Sequence, residues 1–585
     1  GEELKPKLGV RGYRVMELAS IKVPVTPGFI FDINAVKQII DGSLNVEEIV
    51  KEYVSFVEKD TGRKFGDASN PLLFKVVTSP DIEMLSFNSV HNIGLTDEIV
   101  KGFANFTGDQ FAYEEYRDLF VNIGTKLHDM SKSEFKKAGG ELYVKQNEVE
   151  NIKQLIEKYK VLMGDKVSQD VYKQLASIIT MAAKKYIKEE EEIGNTDAET
   201  AILVQMMVYG NYGENSSAGS YFSRNIVTGD NELQGQYFSK EFHADLDHGT
   251  DIKKITAEYL EQLKQIALNC ENHFKEIREI KFTIEAGKLW LIDQGPCDKK
   301  STQAEIKTLL DLRKSNIIDD IYLVKKIPPH QMNELLHPII DTSSVKSFKK
   351  VVGGISGATG AAIGRVFFST PALIEEYRRC IKTGEDKNLI LVMEHTYAED
   401  VKAIEVCRGV LTTTGGYSSH APVVSRSLGK VAMVNPEISI DNKAKILKIG
   451  DITVKEGDYI SMDVPYHSKP TIYIGKADLV EPDFEENGLL SFLDIVNKYV
   501  DSSFHVRGNC DSARDAALAK SFGAEGIGLC RTEHMFFAED RIPIFREMIL
   551  SEDVNERLSA LDKLMPFQRK DFYELFKEMR GYEVT

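Results

Sequence analysis

One short stretch decides the fold in the middle of this 585-residue chain: Gly415-Gly416-Tyr417-Ser418-Ser419-His420-Ala421-Pro422. The paired glycines follow a β-type run and permit the positive-φ backbone of a tight turn. The next residues favour a helix, because hydroxyl side chains suit a helix N-terminus and proline is tolerated in the first turn. We therefore expect His420 to lie where a helix begins.

A histidine in this position is suited to carrying a phosphoryl group. The free N–H groups and the dipole of a helix N-terminus favour a phosphate, and a neutral imidazole is a nucleophile towards phosphorus. The hydroxyls of Ser418 and Ser419, with Arg426 about two turns further on, are candidates to neutralise that group. The alternative is a structural histidine that caps or packs the helix, and the flanking sequence favours the chemical role.

The bulk composition limits the class of protein. The length suggests roughly three to five domains, and the net charge of −17 argues against general nucleic-acid binding. Six scattered cysteines without a CxxC pair indicate a reduced protein. The charged N-terminal residues differ from a signal peptide, and no run is long and apolar enough for a membrane span. We expect a cytoplasmic protein that contacts neither membranes nor nucleic acid.

The pattern of apolar residues and turn signals changes several times along the chain. Residues 1–110 mix short β-type runs with turn signals, and residues 112–195 show the three- and four-residue apolar spacing of helices. A hairpin with its turn at Ala286-Gly287 is predicted near residues 280–292. Helical pattern continues to about residue 335, and a segment rich in Gly, Val and Ile occupies about 345–475.

The last part of the chain has the pattern of a parallel βαβ unit. We predict a strand at 504–507, a helix at 512–521 and a second strand at 526–530. Arg531 follows that second strand directly. Active groups of barrel enzymes lie just beyond the carboxyl ends of strands, so Arg531 is a candidate ligand-binding residue. The alternative is a structural arginine in an ion pair with Glu533.

The stretch around His420 resembles the phosphohistidine signature of the pyruvate phosphate dikinase family, whose relatives include phosphoenolpyruvate synthase and the sugar-transport enzyme I. The glycine-rich run at 354–364 and Gly429-Lys430 resemble the same swivelling domain. Residues 208–219 and 223–233 resemble the family's nucleotide domain, and residues 523–537 resemble its phosphoenolpyruvate (PEP)/pyruvate barrel. The resemblance extends over essentially the whole chain.

The resemblance implies a multidomain α/β and α+β protein. It would comprise an ATP-grasp-type nucleotide domain with a helical insertion, a swivelling β/α phosphohistidine domain and the first part of a (β/α)8 barrel. The implied bounds are 1–340 for the nucleotide domain with 112–195 as its helical subdomain, 341–475 for the swivelling domain, 476–488 for a linker and 489–585 for the barrel. The family's barrel would continue beyond residue 585, so the resemblance implies either a truncated member or a natural short form whose tail packs differently.

The resemblance also assigns site residues and shows where this chain departs from the family. His420 would be catalytic, Arg531 would bind substrate, Arg11 would replace a phosphate-contacting lysine, and Glu279 and Asp293 would contact nucleotide and Mg²⁺. Where the family has a second carboxylate and two arginines, this chain has Lys281, Val77 and Gly295. Removal of an electrostatic donor typically costs roughly 3–4 kcal/mol of transition-state stabilisation.

Three functions remain open on this basis. The first is a phosphotransferase that carries a phosphoryl group on His420 between ATP/AMP and PEP/pyruvate sites, with a homodimer implied by the family. The second is a catalytically impaired relative with a binding or regulatory role. The third is a carrier that is loaded from PEP or another donor instead of ATP.

Overall fold

The computed structural model of the chain describes residues 2–80, 89–242, 249–298, 300–341, 344–466, 468–501, 503–536 and 540–585. Phe537, the last residue of the barrel-like motif, lies outside these ranges. The chain forms two compact units, residues 1–299 and 300–585. We call them unit 1 and unit 2 and describe each by itself.

Unit 1 is built from helices packed on two antiparallel sheets. Its helices are α1 (Lys5–Ser20), α2 (Ile33–Asp41), α3 (Val46–Thr61), α4 (Ile99–Thr107), α5 (Asp109–Leu127), α6 (Lys132–Gly139), α7 (Val149–Met163), α8 (Val171–Glu192) and α9 (Ala257–Phe274). Its strands are β1 (Gly28–Phe31), β2 (Phe74–Pro80), β3 (Ser89–Ile93), β4 (Thr200–Met206), β5 (Ser217–Phe222), β6 (Gln234–Ser239), β7 (Thr250–Asp251), β8 (Arg278–Glu285) and β9 (Lys288–Pro296).

The two sheets of unit 1 have the strand orders β1-β4-β2-β3 and β7-β6-β5-β8-β9. The helical pattern predicted for 112–195 is confirmed by α5 to α8, and the predicted hairpin by β8 and β9. Ala286 (φ 48°) and Gly287 (φ 85°) form its turn, as a two-residue hairpin loop with positive φ at both positions requires. The prediction for 1–110 missed the helices α1 to α4, since only its β-type runs were recognised.

The start of unit 1 is fixed by a close contact between Gly9 and Ser79. Gly9 has φ 65° and interrupts α1, and a Cβ on it would lie 1.7 Å from the Ser79 carbonyl oxygen. The Ser79 hydroxyl accepts from the Gly12 N–H at 3.0 Å and donates to the Leu8 carbonyl at 2.9 Å. This arrangement holds Arg11, which lies between the two glycines, against the end of β2.

Unit 2 contains the remaining elements. Its helices are α10 (Thr302–Lys314), α11 (Asp320–Lys326), α12 (Thr370–Thr383), α13 (Val401–Val406), α14 (His420–Ser427), α15 (Leu489–Asn497), α16 (Ala513–Ser521), α17 (Ile542–Leu550) and α18 (Val554–Glu578). Its strands up to residue 434 are β10 (Ile339–Ile340), β11 (Lys350–Val352), β12 (Ile355–Ala358), β13 (Gly360–Phe367), β14 (Leu389–Met393), β15 (Gly409–Thr412) and β16 (Val431–Val434).

The later strands of unit 2 are short. They are β17 (Ser439–Asp441), β18 (Ile446–Ile449), β19 (Ile452–Lys455), β20 (Tyr459–Val464), β21 (Thr471–Ile474), β22 (Leu479–Val480), β23 (Gly508–Asn509), β24 (Gly526–Leu529) and β25 (Glu583–Val584). The helical pattern predicted up to about residue 335 is confirmed by α10 and α11.

An eight-stranded sheet forms the centre of unit 2, in the order β11-β21-β20-β13-β14-β15-β16-β12. Strands β13 to β16 run parallel to one another. Both faces of β14 are buried, because Leu389 and Leu391 pack with α12 to α14 while Ile390 and Val392 pack with β17 to β19. A strand covered on both faces has no freedom to shift register.

The two connections to this sheet domain pair with each other. β10 precedes the domain and β22 follows it, and they form an antiparallel ribbon with Ile339 opposite Val480 and Ile340 opposite Leu479. The Asp341 N–H extends the ribbon by donating to the Asp478 carbonyl at 2.9 Å. The chain therefore enters and leaves the domain through one hydrogen-bonded ribbon.

The C-terminal part confirms the predicted parallel βαβ unit and corrects one of its strands. β23 and β24 are parallel neighbours joined through α16, whose N-cap Ser512 accepts from the Asp515 N–H. The first strand lies at Gly508–Asn509 instead of 504–507, where the residues are irregular and largely exposed. β25 adds a third parallel strand beside β24.

Within the described residues, no helix has both the length and the apolar character needed to cross a membrane.

We expect Gly9→Ala to lower the free energy of unfolding by roughly 2–4 kcal/mol, because it adds both left-handed strain and a clash with Ser79. The measurement is chemical denaturation followed by circular dichroism. Gly42→Ala is the matched control, since Gly42 has φ 80° but no atom within 4 Å of an added Cβ. Equal losses in the two variants would contradict the role of the Ser79 contact.

Candidate functional site

His420 is the first residue of α14, as predicted, with Ser419 as the N-cap. The turn before it depends on Gly415, which has φ 110°. A Cβ added to Gly415 would lie only 2.6 Å from the Ser419 hydroxyl oxygen. The Ser419 hydroxyl donates to the Gly416 carbonyl at 2.7 Å instead of capping the helix. This local hydrogen bond therefore stabilises the turn, and it leaves the N–H groups at the start of α14 to other acceptors.

A second residue holds the imidazole. The Thr396 hydroxyl lies 2.9 Å from Nδ1 of His420, and Thr396 itself is buried. It lies just after β14, while His420 lies in the segment after β15, and Thr413 and Thr414 extend the pairing of the two strands through N–H bonds to the carbonyls of Met393 and Glu394. When Nδ1 carries the proton and donates to Thr396, the lone pair of the ring is on Nε2.

The loop that carries Thr396 is itself braced. The buried Asp400 accepts from the Tyr397 N–H at 2.8 Å and from the Thr370 hydroxyl at 2.6 Å. These bonds fix the turn between β14 and α13. Thr396 is thus a preorganised hydrogen-bond partner for His420 and not a mobile loop residue.

Arg426 has a different role from the predicted one. Its guanidinium donates to the carbonyls of Gly357 and Tyr417 and stacks on the Tyr417 ring with 4.0 Å between the guanidinium carbon and the ring centroid. These contacts tie α14 to the glycine-rich run and to the turn before His420. In this structure Arg426 holds the backbone around the site, and Ser418 is exposed.

Arg531 lies just beyond the carboxyl end of β24, as predicted. Its partner is Asp511 and not Glu533: the Arg531 N–H donates to Asp511 Oδ1 at 2.8 Å, and its guanidinium lies 3.5 Å from Oδ2. His534 Nδ1 lies 2.8 Å from the same oxygen. Burial acts to raise the pKa of Asp511, but these donors outweigh it and the pKa is lowered. The carboxylate therefore holds an arginine whose side chain is 40% exposed.

Unit 1 contains a cavity of about 310 Å³ between its two sheets. Polar and apolar residues line it. The polar residues are Thr26, Lys75, His91, Lys281 and Thr283, and the apolar residues are Met206, Met207, Val208, Ala218, Gly219, Phe242, Phe282 and Ile292. This volume is at the lower end of the range for ligand pockets, and an apolar lining with a few polar groups is typical of them.

Several predicted charges meet beside this cavity. Burial lowers the pKa of Lys75, the Asp293 carboxylate opposes that shift, and the Arg11 guanidinium adds to it. Lys281 lies directly opposite Asp293 in the hairpin, and Glu279 lies two residues before Lys281 on the same face. Arg11 and Asp293 are thus both close enough to Lys75 to affect its pKa, and Glu279 shares a face of the hairpin with Lys281 and Asp293.

The carboxylates of Glu279 and Asp293 form an incomplete set for a metal ion held by protein alone. Within the described ranges, no group of three or more His, Cys, Asp or Glu side chains could hold one. Mg²⁺ in nucleotide sites commonly takes only one or two carboxylates, with phosphate oxygens and water completing the octahedron. The two residues fit that second kind of site.

Three contributors were missed in the sequence. Thr396 lies 24 residues before its partner His420, so only the strand register brings them together. Lys75 could have been found as a lone lysine in the apolar strand that follows Leu72 and Leu73. His91 carried no signal, because it lies in a strand too short for a clear pattern.

Comparison with known proteins finds two matching family descriptions. Residues 385–465 match the family described as PEP-utilising enzyme, mobile domain, and residues 495–585 match the PEP-utilising enzyme, PEP-binding domain. The first range contains His420 and Thr396, and the second contains Arg531. The chain therefore falls in the class of proteins that contain the mobile and PEP-binding domains described for PEP-utilising enzymes.

Whole-chain relatives narrow this class. Pyruvate, phosphate dikinase of Treponema pallidum (strain Nichols) is 43% identical over 99% of this chain and 64% of its own length. The dikinase 1 of Arabidopsis thaliana, a chloroplastic protein, is 32% identical over 100% of this chain and 62% of its own length. That of Rhizobium meliloti (strain 1021) is 31% identical over 100% of this chain and 68% of its own length.

This chain belongs to the pyruvate, phosphate dikinase family. It spans a little under two thirds of the length of the first curated relatives that it matches. Members of this family typically use a divalent metal ion.

We expect Thr396→Val to change the tautomer equilibrium of His420, because it removes the hydroxyl at Nδ1 and keeps the shape of the side chain. The measurement is ¹⁵N NMR of the imidazole in the full chain, with His420→Asn identifying the resonance. Thr396→Ser retains the hydroxyl and is the matched control. Unchanged ¹⁵N shifts in Thr396→Val would contradict the contact.

We expect His91 to reduce stability in acid. The His91 side chain is exposed at the cavity, but the protein that surrounds it, together with the charges of Lys75 and Lys126, disfavours the protonated ring and lowers its pKa to about 4. The unfolded chain takes up this proton near pH 6.5 and the folded chain only near pH 4, so this stability is present above pH 6.5 and is lost as the pH falls to 4. Denaturation midpoints from pH 7.5 to 4 should fall less steeply in His91→Asn, and equal slopes would refute this origin.

Proposed function

We propose that this chain is a phosphotransferase that carries a phosphoryl group on His420 between a nucleotide in the cavity of unit 1 and PEP/pyruvate at Arg531. The observation that carries the proposal is the hydrogen bond between Thr396 and Nδ1, since a proton on Nδ1 that donates to Thr396 leaves the lone pair on Nε2 at a helix N-terminus. Family membership gives the substrates as a hypothesis, because the relatives with this name are longer than the chain.

The finer fold assignment belongs to the same proposal. We assign unit 1 largely to an ATP-grasp-type domain, the eight-stranded sheet to the swivelling domain within residues 341–475, and residues 489–585 to part of a (β/α)8 barrel. The paired connectors β10 and β22 support a swivelling motion, because a domain that is attached through one ribbon can turn about it as a body.

In the loading step, Nε2 of His420 would attack the β-phosphorus of ATP, the bond from that phosphorus to the oxygen shared with the α-phosphate would break, and AMP would leave a pyrophosphoryl group on Nε2. Inorganic phosphate would then attack the terminal phosphorus, release pyrophosphate and leave a single phosphoryl group on Nε2. Lys75, Lys281 and Arg11 would neutralise the phosphates. Glu279 and Asp293 would hold Mg²⁺, which supplies charge neutralisation at the transferring group.

In the unloading step, the phosphoryl group passes from His420 to the acceptor at the barrel fragment. The exposed guanidinium of Arg531 suits the carboxylate of pyruvate or the phosphate of PEP, because its planar fork binds either group bidentately. Asp511 orients that guanidinium from one side and leaves its other donors for the ligand.

One observation supports a second candidate, an impaired nucleotide site in a protein with a binding or regulatory role. Lys281 is opposite Asp293, and an ammonium there competes with a metal ion for the carboxylate. A related alternative is that His420 receives its phosphoryl group from PEP or another donor instead of ATP.

We also propose that the protein acts in the cytoplasm. All six cysteines lie in described segments as free thiols, including the buried Cys270 and Cys407. Free thiols are typical of a reducing compartment.

The proposal predicts that ATP with Mg²⁺ gives an acid-labile phosphoprotein. The measurement is incorporation of ³²P from ATP labelled in the β- or γ-phosphate, in a parallel reaction with labelled PEP. His420→Asn should lose all label, because it removes the nucleophile. His505→Asn is the matched control, since His505 is an exposed histidine that interacts with Glu525.

The parallel labelling reactions with ATP and with PEP distinguish the candidate functions. Label from ATP that depends on His420 supports the proposal. Label from PEP alone favours the alternative donor, and absence of label from either source supports the impaired relative. Label that persists in His420→Asn would overturn the carrier role of this residue.

A further inference from the structure

Two cysteines are neighbours on adjacent parallel strands in the C-terminal part of unit 2. Cys510 follows β23, Cys530 follows β24, and the Cys510 N–H donates to the Leu529 carbonyl at 3.1 Å. In a parallel ladder, the residue whose N–H donates lies beside the residue that follows the acceptor. The acceptor here is Leu529, so Cys510 lies beside Cys530. Neighbouring strands lie about 4.8 Å apart, and this is within the roughly 4.4–6.8 Å Cα separation of disulfides.

The two thiols differ in access. Cys510 is only 2% exposed and packs in an apolar cluster with Ile527 and Leu575. Cys530 packs against the same cluster but is partly exposed. A small oxidant therefore reaches Cys530 first, and Cys510 is in place to react with an oxidised sulfur beside it. This is the arrangement of an attacking and a resolving cysteine.

We propose that Cys510 and Cys530 form an intrachain disulfide when the protein meets a hydroperoxide. The Cys530 thiolate attacks one oxygen of hydrogen peroxide, the O–O bond breaks, and a sulfenic acid and one water result after proton transfer. The Cys510 sulfur then attacks the Cys530 sulfur and displaces a second water. Two thiols lose two electrons and two protons in total, and the peroxide is reduced to two waters. A dithiol reductant reverses the bond.

The disulfide would act on the neighbouring ligand site. Asp511 directly follows Cys510, and Arg531 directly follows Cys530. The Arg531 backbone N–H donates to one oxygen of the Asp511 carboxylate at 2.8 Å, and the Arg531 guanidinium lies 3.5 Å from the other oxygen. A bond between the cysteines draws together the two segments that hold these side chains. Oxidation should therefore alter ligand binding at Arg531, a consequence that rests on the proposed function.

The rate of the reaction should depend on pH. Burial raises the pKa of both thiols, and the Asp511 carboxylate raises them further. The thiolate is the reactive form, so oxidation is slow near neutral pH and becomes faster as the pH rises towards 9. The buried Cys407, whose pKa burial raises to about 12, should stay reduced under the same treatment.

The test is peptide mapping of the full chain after treatment with hydrogen peroxide at pH 8.5 and blocking of remaining thiols. Trypsin releases Cys510 in residues 508–514 and Cys530 in residues 521–531. We expect these peptides as one species that lacks two hydrogens and separates on reduction. Cys407→Ala should still give it, while Cys510→Ala should accumulate sulfenic acid on Cys530, detected with dimedone.

Peptide mapping of the wild-type protein alone tests the disulfide if the variants fold poorly. Separate peptides after complete loss of the Cys530 thiol, or linkage of either cysteine to another partner, would overturn the proposal. Titration with PEP tests the consequence, with a change in Kd of roughly fivefold or more expected on oxidation. An unchanged Kd in cross-linked protein would overturn the coupling, whereas reduced protein that fails to bind PEP would overturn the role of Arg531 and not the disulfide.

Discussion

The parallel pairing of β14 with β15 is the constraint on which the site around His420 depends. Met393 pairs with Thr412 at the carboxyl ends of these strands, and both strands are buried within the sheet. A one-residue slip would turn their apolar side chains to the wrong faces, so the register is fixed by the cores on either side. That register alone brings Thr396 beside His420. The chemistry of the site is therefore a consequence of how the sheet is packed.

This dependence explains which parts of the site could be predicted from the sequence. His420 at a helix start follows from local signals, since glycine, serine and proline determine the turn within a few residues. Thr396 could not be found in this way, because nothing near it in the sequence shows which strand will lie beside its own. Arg426 was misjudged for the same reason. Its charge suggested a phosphate, but the fold supplies the carbonyls of Gly357 and Tyr417 as partners.

The fold shows the same division between local and long-range information. The βαβ pattern and the β8–β9 hairpin were predicted, because a Ser N-cap and an Ala286-Gly287 turn are local signals. The first strand of the βαβ unit was placed too early, at 504–507, because apolar side chains there suggested burial that the packing does not provide. Helix α1 was missed since Gly9 and Gly12 weaken its helical pattern, and their reason lies in the distant Ser79.

Lys281 has two opposing effects on phosphoryl transfer from a nucleotide. Lys281 lies opposite Asp293 in the hairpin, and opposite charges at such cross-strand positions attract each other. Under the proposed function, this attraction would weaken the hold of Asp293 on a metal ion. The same charge is equally attracted to a phosphate, and a triphosphate presents several of them. Under the proposed function, Lys75, Lys281 and Arg11 would still bind the nucleotide, while alignment by the metal would be weakened. In this chain the capacity to bind a nucleotide should therefore exceed the capacity to transfer from it.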